Sequence, residues 1–285
     1  MSKRLIINAD DFGLSTSINK GIIEAHQRGI VTSTTIMANM PGFLSAVNLA
    51  KQNPSLGVGV HINLIRGEPL SLPGTVSTLL GRNHRFLGSG YRFLSRLYRK
   101  KFKEKEIRLE IESQIASVID HGISPTHLDS EKNMHSFPPL LAHVCEVAKF
   151  FGISKIRLIN EPILKEFIFT KQFLKLLLCK YNFRKSASIL AKFNIRAPQH
   201  FYGILLSGCL RKDSLRIVLQ KIEDGVTEIM CHPGYVDDEL IKFSDKLGGY
   251  YINKFREQEL SALLDEELKL AIEEMGIRLI NYWRF

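Results

Sequence analysis

The sequence predicts an α/β protein whose single domain, residues 1–285, forms an irregular (β/α) barrel of seven or eight parallel strands. Three observations lead to this prediction. Short apolar runs alternate strictly with segments of helical periodicity, which is typical of a parallel sheet wrapped by helices. Glycine follows several helical segments, as at Gly29, Gly122 and Gly152. The length of 285 residues fits eight such units without a linker. A doubly wound open sheet is the alternative.

The elements follow one another regularly along the chain. The predicted pairs of a strand and its helix are RLIINA with SINKGIIEAHQRG, TSTTIMAN with GFLSAVNLAKQN, LGVGVHINL with KEKEIRLEIESQIASVIDHG, PTHLD with FPPLLAHVCEVAKFFG, KIRLI with a region ending near Phe193, FYGILL with KDSLRIVLQKIEDG, and VTEIMCHPG with SALLDEELKLAIEEMG, before a final IRLINY. Residues from about 66 to 105 exceed the usual length of a strand-to-helix connection. We therefore expect them to form an elaborated loop over one rim of the barrel.

The composition indicates a globular cytoplasmic protein. Hydrophobic residues make up 45% and charged residues 24% of the chain. The apolar runs are shorter than the roughly 18 residues of a membrane span, and the N-terminus does not have the pattern of a signal peptide. The four cysteines form no CxxC pair, so we expect reduced thiols. A homodimer is compatible with this composition.

The net charge of +10 favours an anionic partner. The surplus is regional: residues 82–108 contain ten Lys or Arg against two Glu, and residues 165–196 contain eight against one. Both regions also contain Phe, Leu and Tyr, as basic amphipathic helices do at membrane surfaces. Two interpretations of these regions have equal weight. They make peripheral contact with the anionic inner membrane surface, or they are ordinary helices whose basic faces lie in water. Because no nucleic-acid module is present, we expect no nucleic acid as a partner.

Polar residues follow the predicted strands at the end where parallel α/β folds bind ligands. They are Asp10 and Asp11 after the first strand, His61 and Asn63 after the third, His127 and Asp129 at PTHLD, and His232 in CHPGY. Alone, each motif favours an ordinary structural role, such as a helix cap or a turn. Four of them at one rim favour a common site.

These residue types suit metal-assisted hydrolysis. A carboxylate and two imidazoles form a common set for a divalent ion, here Mg or Zn, that keeps a position open for water. A second carboxylate would act as general base, and a further His would protonate the leaving group. The adjacent Asp10 and Asp11 would then have separate roles, one as ligand and one as base.

The motifs NADDFG, GVHINL, PTHLDS and EIMCHPGY resemble those of the YdjC-like carbohydrate deacetylase family, which includes chitooligosaccharide deacetylases. The resemblance runs from Leu5 to the C-terminal GIRLINY. It implies an irregular barrel and metal-dependent removal of an N-acetyl group from an amino sugar. It also implies a role for each residue: metal ligands Asp11, His61 and His127, base Asp10, and acid His232, with the two Asp roles open to exchange.

The run after THLDS departs from the His-rich pattern of many family members. Glu131, Lys132 and Asn133 stand there, and only His135 remains. This form resembles the subgroup associated with hopanoid biosynthesis, which implies a glycolipid such as a glycosylated hopanoid as substrate. The alternatives are a soluble chitooligosaccharide deacetylase, a metal-dependent phosphoesterase on the same site, and a binding protein without activity. Further candidates for substrate or supporting contacts are Asn63, Asp129, His135 and Arg157.

Overall fold

A computed structural model describes residues 2–168, 172–238, 240–241 and 254–285. All of its paired strands are parallel to their neighbours. The strands are β1 (Lys3–Phe12), β2 (Ser33–Ile36), β3 (Gly57–Ile62), β4 (Leu128–Ser130), β5 (His200–Tyr202), β6 (Gly225–Cys231) and β7 (Arg278–Leu279). Their order is β4-β3-β2-β1-β6-β5, and β7 pairs with β1.

The sheet curls into an incomplete barrel around β1, whose residues from Leu5 to Phe12 are all buried. Parallel bridges from Leu128 to Ile156 and from Lys155 to Arg196 carry the backbone pairing on from β4 toward β5. The predicted fold class, an irregular barrel of parallel strands, is therefore confirmed. The predicted strand KIRLI appears only as these bridges.

Helices cover the strands as their periodicity predicts. They are α1 (Thr16–Gln27), α2 (Phe43–Gln52), α3 (Gly90–Tyr98), α4 (Glu104–Asp120), α5 (Pro138–Phe150), α6 (Phe173–Lys192), α7 (Lys212–Leu219), α8 (Phe255–Leu263) and α9 (Glu266–Glu274). The C-terminal helical region is two helices rather than one, because the Asp265 side chain accepts a hydrogen bond from the Leu268 N–H and begins α9. Within the described residues, no helix is both long and apolar enough to cross a membrane.

The segment between β3 and α4 contains α3 and three short 3₁₀ turns. Two buried carboxylates of α4 hold it against the barrel. Glu110 accepts hydrogen bonds from the backbone N–H groups of Leu70 and Ser71, and Glu106 accepts from the N–H and hydroxyl of Thr78. Because four donors satisfy these two buried acids, the segment is fixed against α4. Its placement over one rim of the barrel stays a prediction.

Candidate active site

Side chains from several strand ends line one cavity of about 450 Å³. Asp10 and Asp11 come from β1, His61 from β3, Glu131 from the turn after β4, and His232 from the loop after β6. All five are buried. The structure therefore brings four of the predicted site residues together, and adds Glu131.

A break in strand regularity allows Asp10 and Asp11 to face the same cavity. Successive side chains on a regular strand point to opposite faces of the sheet. Here the register between β1 and β2 shifts between Ala9 and Phe12, and Asp11 has a φ of 70°. A side chain other than glycine is rarely found in this left-handed region, and such strain is concentrated at functional sites.

His61 is oriented by Asp129, which lies beside it on β4. The His61 Nδ1 atom is 2.7 Å from Asp129 Oδ1, and Asp129 Oδ2 accepts a hydrogen bond from the Thr35 hydroxyl at 3.0 Å. Because an ionised carboxylate can only accept, the imidazole proton is placed on Nδ1. The other ring nitrogen, Nε2, then faces Asp11 and Glu131. Asp129, a candidate for a supporting contact, is the residue that fixes this ring orientation.

Three ligand atoms meet at the His61 Nε2. That atom lies 3.7 Å from Asp11 Oδ1 and 3.9 Å from Glu131 Oε2, and the three atoms lie within 4.8 Å of one another. Burial lowers the pKa of His61, but Asp129 and Glu131 raise it well above its usual range. Two carboxylates, which pair with Arg256 and Arg66, and one imidazole bring oxygen and nitrogen donor atoms together at one point of the cavity. The donor set therefore fits a divalent cation.

Asp10 has different partners from Asp11. Arg157 NH2 donates to Asp10 Oδ1 at 2.6 Å, and NH1 donates to Oδ2 at 2.8 Å, so the pair is bidentate. Burial alone would raise the pKa of Asp10, but Arg157 lowers it well below its usual range. Asp10 is therefore an ionised carboxylate in a fixed orientation. Asp11 instead pairs with Arg256 of α8.

His232 also lines the cavity and is held there by α8. Its backbone N–H donates to Glu259, and Arg256 donates to its carbonyl oxygen at 3.4 Å. Burial lowers the pKa of His232 to about 4, although Asp10 and Asp11 act in the opposite direction. The imidazole is therefore neutral near pH 7 in this state.

His127 lies outside the donor set, in contrast to the predicted role as a ligand. Its ring stacks on Tyr282 with the centroids 3.5 Å apart, and its Nδ1 lies 2.7 Å from the Thr126 hydroxyl. His127, just before β4, and Asp129 are two positions apart, a spacing that places both on one face but about 6.6 Å apart along the strand direction. His127 therefore lies one layer deeper in the barrel, against Gly59, where a Cβ would be 2.6 Å from its ring.

The remaining candidates have supporting contacts within the protein. The Asn63 side chain bonds to the backbone of Ile65 and Arg66 and shapes the loop after β3. His135 bonds to the Ser130 hydroxyl and the Arg157 carbonyl. These contacts account for the burial of both residues. Arg157 is the candidate that contacts the cavity residues directly.

Sequence reasoning missed Glu131, Arg256 and Glu259. Glu131 had a signal, since it stands in the run after THLDS, where the sequence departs from the pattern that it otherwise resembles. The sequence carries no signal for Arg256 and Glu259. They lie on α8, whose hydrophobic periodicity indicates only that the helix packs against the rest of the protein. The fold alone brings that helix to His232.

Comparisons with known proteins find similarity along nearly the whole chain. A family model described as YdjC-like protein matches residues 4–274. The chain is 36% identical over 284 residues to a carbohydrate deacetylase of Clostridium beijerinckii, and 32% identical over 287 residues to one of Thermoanaerobacter pseudethanolicus, with 98% of each chain covered in both cases. A crystal structure from Enterococcus faecalis, described as a proposed cellobiose-phosphate cleavage protein, is similar with a TM-score of 0.75 and 31% identity, covering 100% of this chain and 99% of that one. The chain belongs to the YdjC-like protein family.

Proposed function

We propose that this protein is a metal-dependent carbohydrate deacetylase that hydrolyses the N-acetyl group of an amino sugar. One observation carries the proposal: a single cavity holds an ionised carboxylate locked by Arg157 and, beside it, a separate donor set of Asp11, His61 and Glu131. The first arrangement suits a general base and the second a cation. The full-length similarity to carbohydrate deacetylases supports the amide of an N-acetylated sugar as the bond that is cleaved.

The residues divide the reaction among them. A divalent ion, Mg or Zn, held by Asp11, His61 and Glu131 would polarise the acetyl carbonyl and acidify a water molecule. Asp10 would take a proton from the attacking water, and Arg157 keeps Asp10 ionised and in a fixed orientation. Asp129 would hold the His61 ring through Nδ1, so that Nε2 can serve as the ligand. Acetate and the amino sugar are the products.

His232 is the proposed acid. It lines the same cavity as Asp10 and Asp11, which brings it within reach of a substrate amide bound there. Because burial holds its pKa at about 4, His232 enters the reaction neutral near pH 7. It must therefore gain its proton during the reaction, and the proton that Asp10 removes from water is the available source. The nitrogen then leaves as an amine.

The surface around the cavity supports a substrate carried by a lipid, such as a glycosylated hopanoid. Helix α3 exposes 84% of Tyr91, and helix α6 exposes 68% of Leu174 and 88% of Tyr181. Tyr91 of α3 and Leu178 of α6 also line the cavity, together with Lys132 and Lys175. Apolar and cationic groups at one opening suit peripheral contact with an anionic membrane. A soluble chitooligosaccharide is the alternative substrate.

Acetate release tests the proposal. The purified protein is incubated with N-acetylglucosamine oligomers and with an N-acetylglucosamine glycolipid, before and after treatment with a chelator. We expect acetate from at least one substrate, loss of the activity with chelator, and recovery when zinc or magnesium is added. Release of phosphate from phosphate esters without any acetate would instead favour the phosphoesterase. Acetate release that the chelator leaves unchanged would contradict the role of the metal.

A further inference from the structure

A buried chain of hydrogen bonds leads from Asp10 through the barrel to the C-terminal segment. The Arg157 guanidinium uses NH1 and NH2 on Asp10 and its Nε on Glu228 Oε1, at 2.8 Å. The other oxygen of Glu228 accepts the hydroxyl of Tyr282 at 2.7 Å. Arg157, Glu228 and Tyr282 are each 0% exposed. The chain therefore has no contact with solvent between Tyr282 and the cavity.

Glu228 is an unfavourable residue at its position. It lies in the middle of β6, where an apolar side chain would pack without a desolvation cost. Burial raises the pKa of Glu228 to about 7, while Arg157 and the Tyr282 hydroxyl act in the opposite direction. In the structure, the Glu228 carboxylate accepts the hydrogen bond from the Nε–H of Arg157. Together with the contacts of NH1 to Asp129 at 2.8 Å and to Asn133 at 3.2 Å, this bond fixes the plane of the guanidinium, with NH1 and NH2 toward Asp10.

Tyr282 is itself held at several points. Its ring stacks on His127 and meets Phe285 edge-on at 6.0 Å, its backbone N–H donates to the Ser33 hydroxyl, and its carbonyl accepts from Lys155. A phenylalanine would fill the same space, since these contacts need only the ring and the backbone. The hydroxyl is the part of Tyr282 that the packing does not require, and it is the part that reaches Glu228.

We propose that Tyr282 is a positioning residue, which acts on the base Asp10 through Glu228 and Arg157. The inference rests on the proposed function, because it takes Asp10 as the base. The proposal also gives His127 a role. His127, which bonds to Thr126, stacks on the Tyr282 ring and helps to fix its position, and the position of the ring determines where the hydroxyl lies.

Kinetics of a double-mutant cycle test the route. We expect Tyr282→Phe and Glu228→Gln each to lower kcat about 10- to 100-fold, the usual effect of removing a supporting contact, with little change in KM. If Tyr282 acts through Glu228, the double variant is no slower than the slower single variant. Multiplicative effects would overturn the route. Tyr202→Phe is the matched control, because it removes a hydroxyl that bonds to the Lys221 carbonyl at 3.3 Å and should retain kcat.

A second measurement does not depend on activity. In a ¹⁵N spectrum of the full chain, the Nε–H of Arg157 should exchange slowly with solvent, because it is buried and bonded to Glu228. We expect Tyr282→Phe to accelerate this exchange at least tenfold and Tyr202→Phe to leave it unchanged. Equal exchange rates in the wild type and in Tyr282→Phe would overturn the positioning role. This result stands even if no acetate is released, so failure of the inference is distinguishable from failure of the proposed function.

Discussion

At the residue scale, the sequence predicts the types of side chain in the site better than it predicts which residues supply them. Asp10, Asp11, His61 and His232 converge as predicted from their places at strand ends. His127 does not, because strand alternation specifies which face a residue takes but not how deep in the barrel it lies. Glu131 replaces it beside His61. The depth of a residue in the barrel depends on the register between neighbouring strands, which a single sequence does not reveal. Here the register places His61 opposite Asp129.

Substitution of the proposed base, Asp10, tests the division of roles between Asp10 and Asp11. Asp10→Asn keeps the size of the side chain and removes its charge, so we expect metal binding to persist while kcat falls about 10²- to 10⁴-fold. The measurement combines acetate release with metal content by elemental analysis. A variant that loses its metal would show that the two Asp roles are exchanged.

Asp129 should act on the metal without touching it. Asp129→Asn can donate to His61 Nδ1 as well as accept from it, so the tautomer that leaves Nε2 unprotonated is no longer enforced. We expect zinc affinity to fall about 10- to 100-fold in a calorimetric titration. Asp120→Asn, at the exposed end of α4, is the control and should bind zinc like the wild type. Unchanged affinity in Asp129→Asn would contradict the orienting role.

At the element scale, hydrophobic period and glycine placement predict most of the helices and strands. The hydrophobic period predicts these helices because each helix must bury one row of apolar side chains against the sheet, as α1 does with Ile18 and Ile22. Shorter elements are less predictable. The run IRLINY yields only the two-residue strand β7, because Tyr282 turns into the barrel to meet His127 and Glu228 instead of continuing the sheet. Such a tertiary contact has no local signal.

The contact between α1 and the loop that carries His232 should tolerate only glycine. A Cβ on Gly21 would lie 2.6 Å from the Gly234 Cα. Overpacking of this kind costs about 1–3 kcal/mol, which outweighs the gain of up to about 1 kcal/mol from alanine in a helix. We therefore expect Gly21→Ala to lower the free energy of unfolding in urea and to reduce activity by displacing His232.

Gly74→Ala is the matched control, because no atom lies within 4 Å of its Cβ position. Its free energy of unfolding should stay within about 0.5 kcal/mol of the wild type. A Gly21→Ala protein as stable and active as Gly74→Ala would show that α1 and the His232 loop are not tightly packed.

At the scale of the whole molecule, the exposed residues Tyr91 of α3 and Leu178 of α6 line the cavity together with Lys132 and Lys175, and the chain as a whole carries a net charge of +10. The regional charge could be read from the sequence. Its position relative to the cavity could not, because that depends on how the segment after β3 and the helix α6 fold over the rim. The position is what connects the charge with the proposed lipid-linked substrate.

Vesicle co-sedimentation tests this connection. We expect the protein to bind anionic vesicles at low salt, to dissociate at about 0.5 M salt as the charges are screened, and not to bind neutral vesicles. A Tyr91→Ser/Leu174→Ser/Tyr181→Ser variant should bind less, because it lacks the exposed apolar groups. Leu44→Ser, which removes a 60% exposed leucine from α2, should bind like the wild type. Equal binding by both variants would contradict a specific membrane-facing surface.

The central claim is that Asp11, His61 and Glu131 hold the metal on which deacetylation depends. Calorimetric titration of metal-free protein with zinc tests it most directly, using Glu131→Gln beside His127→Gln, with folding checked by thermal unfolding. We expect one zinc per wild-type chain and near wild-type affinity in His127→Gln. In Glu131→Gln we expect the affinity to fall about 100-fold or more, because a direct ligand is lost. Loss of zinc from His127→Gln with full binding by Glu131→Gln would contradict the proposed ligand set.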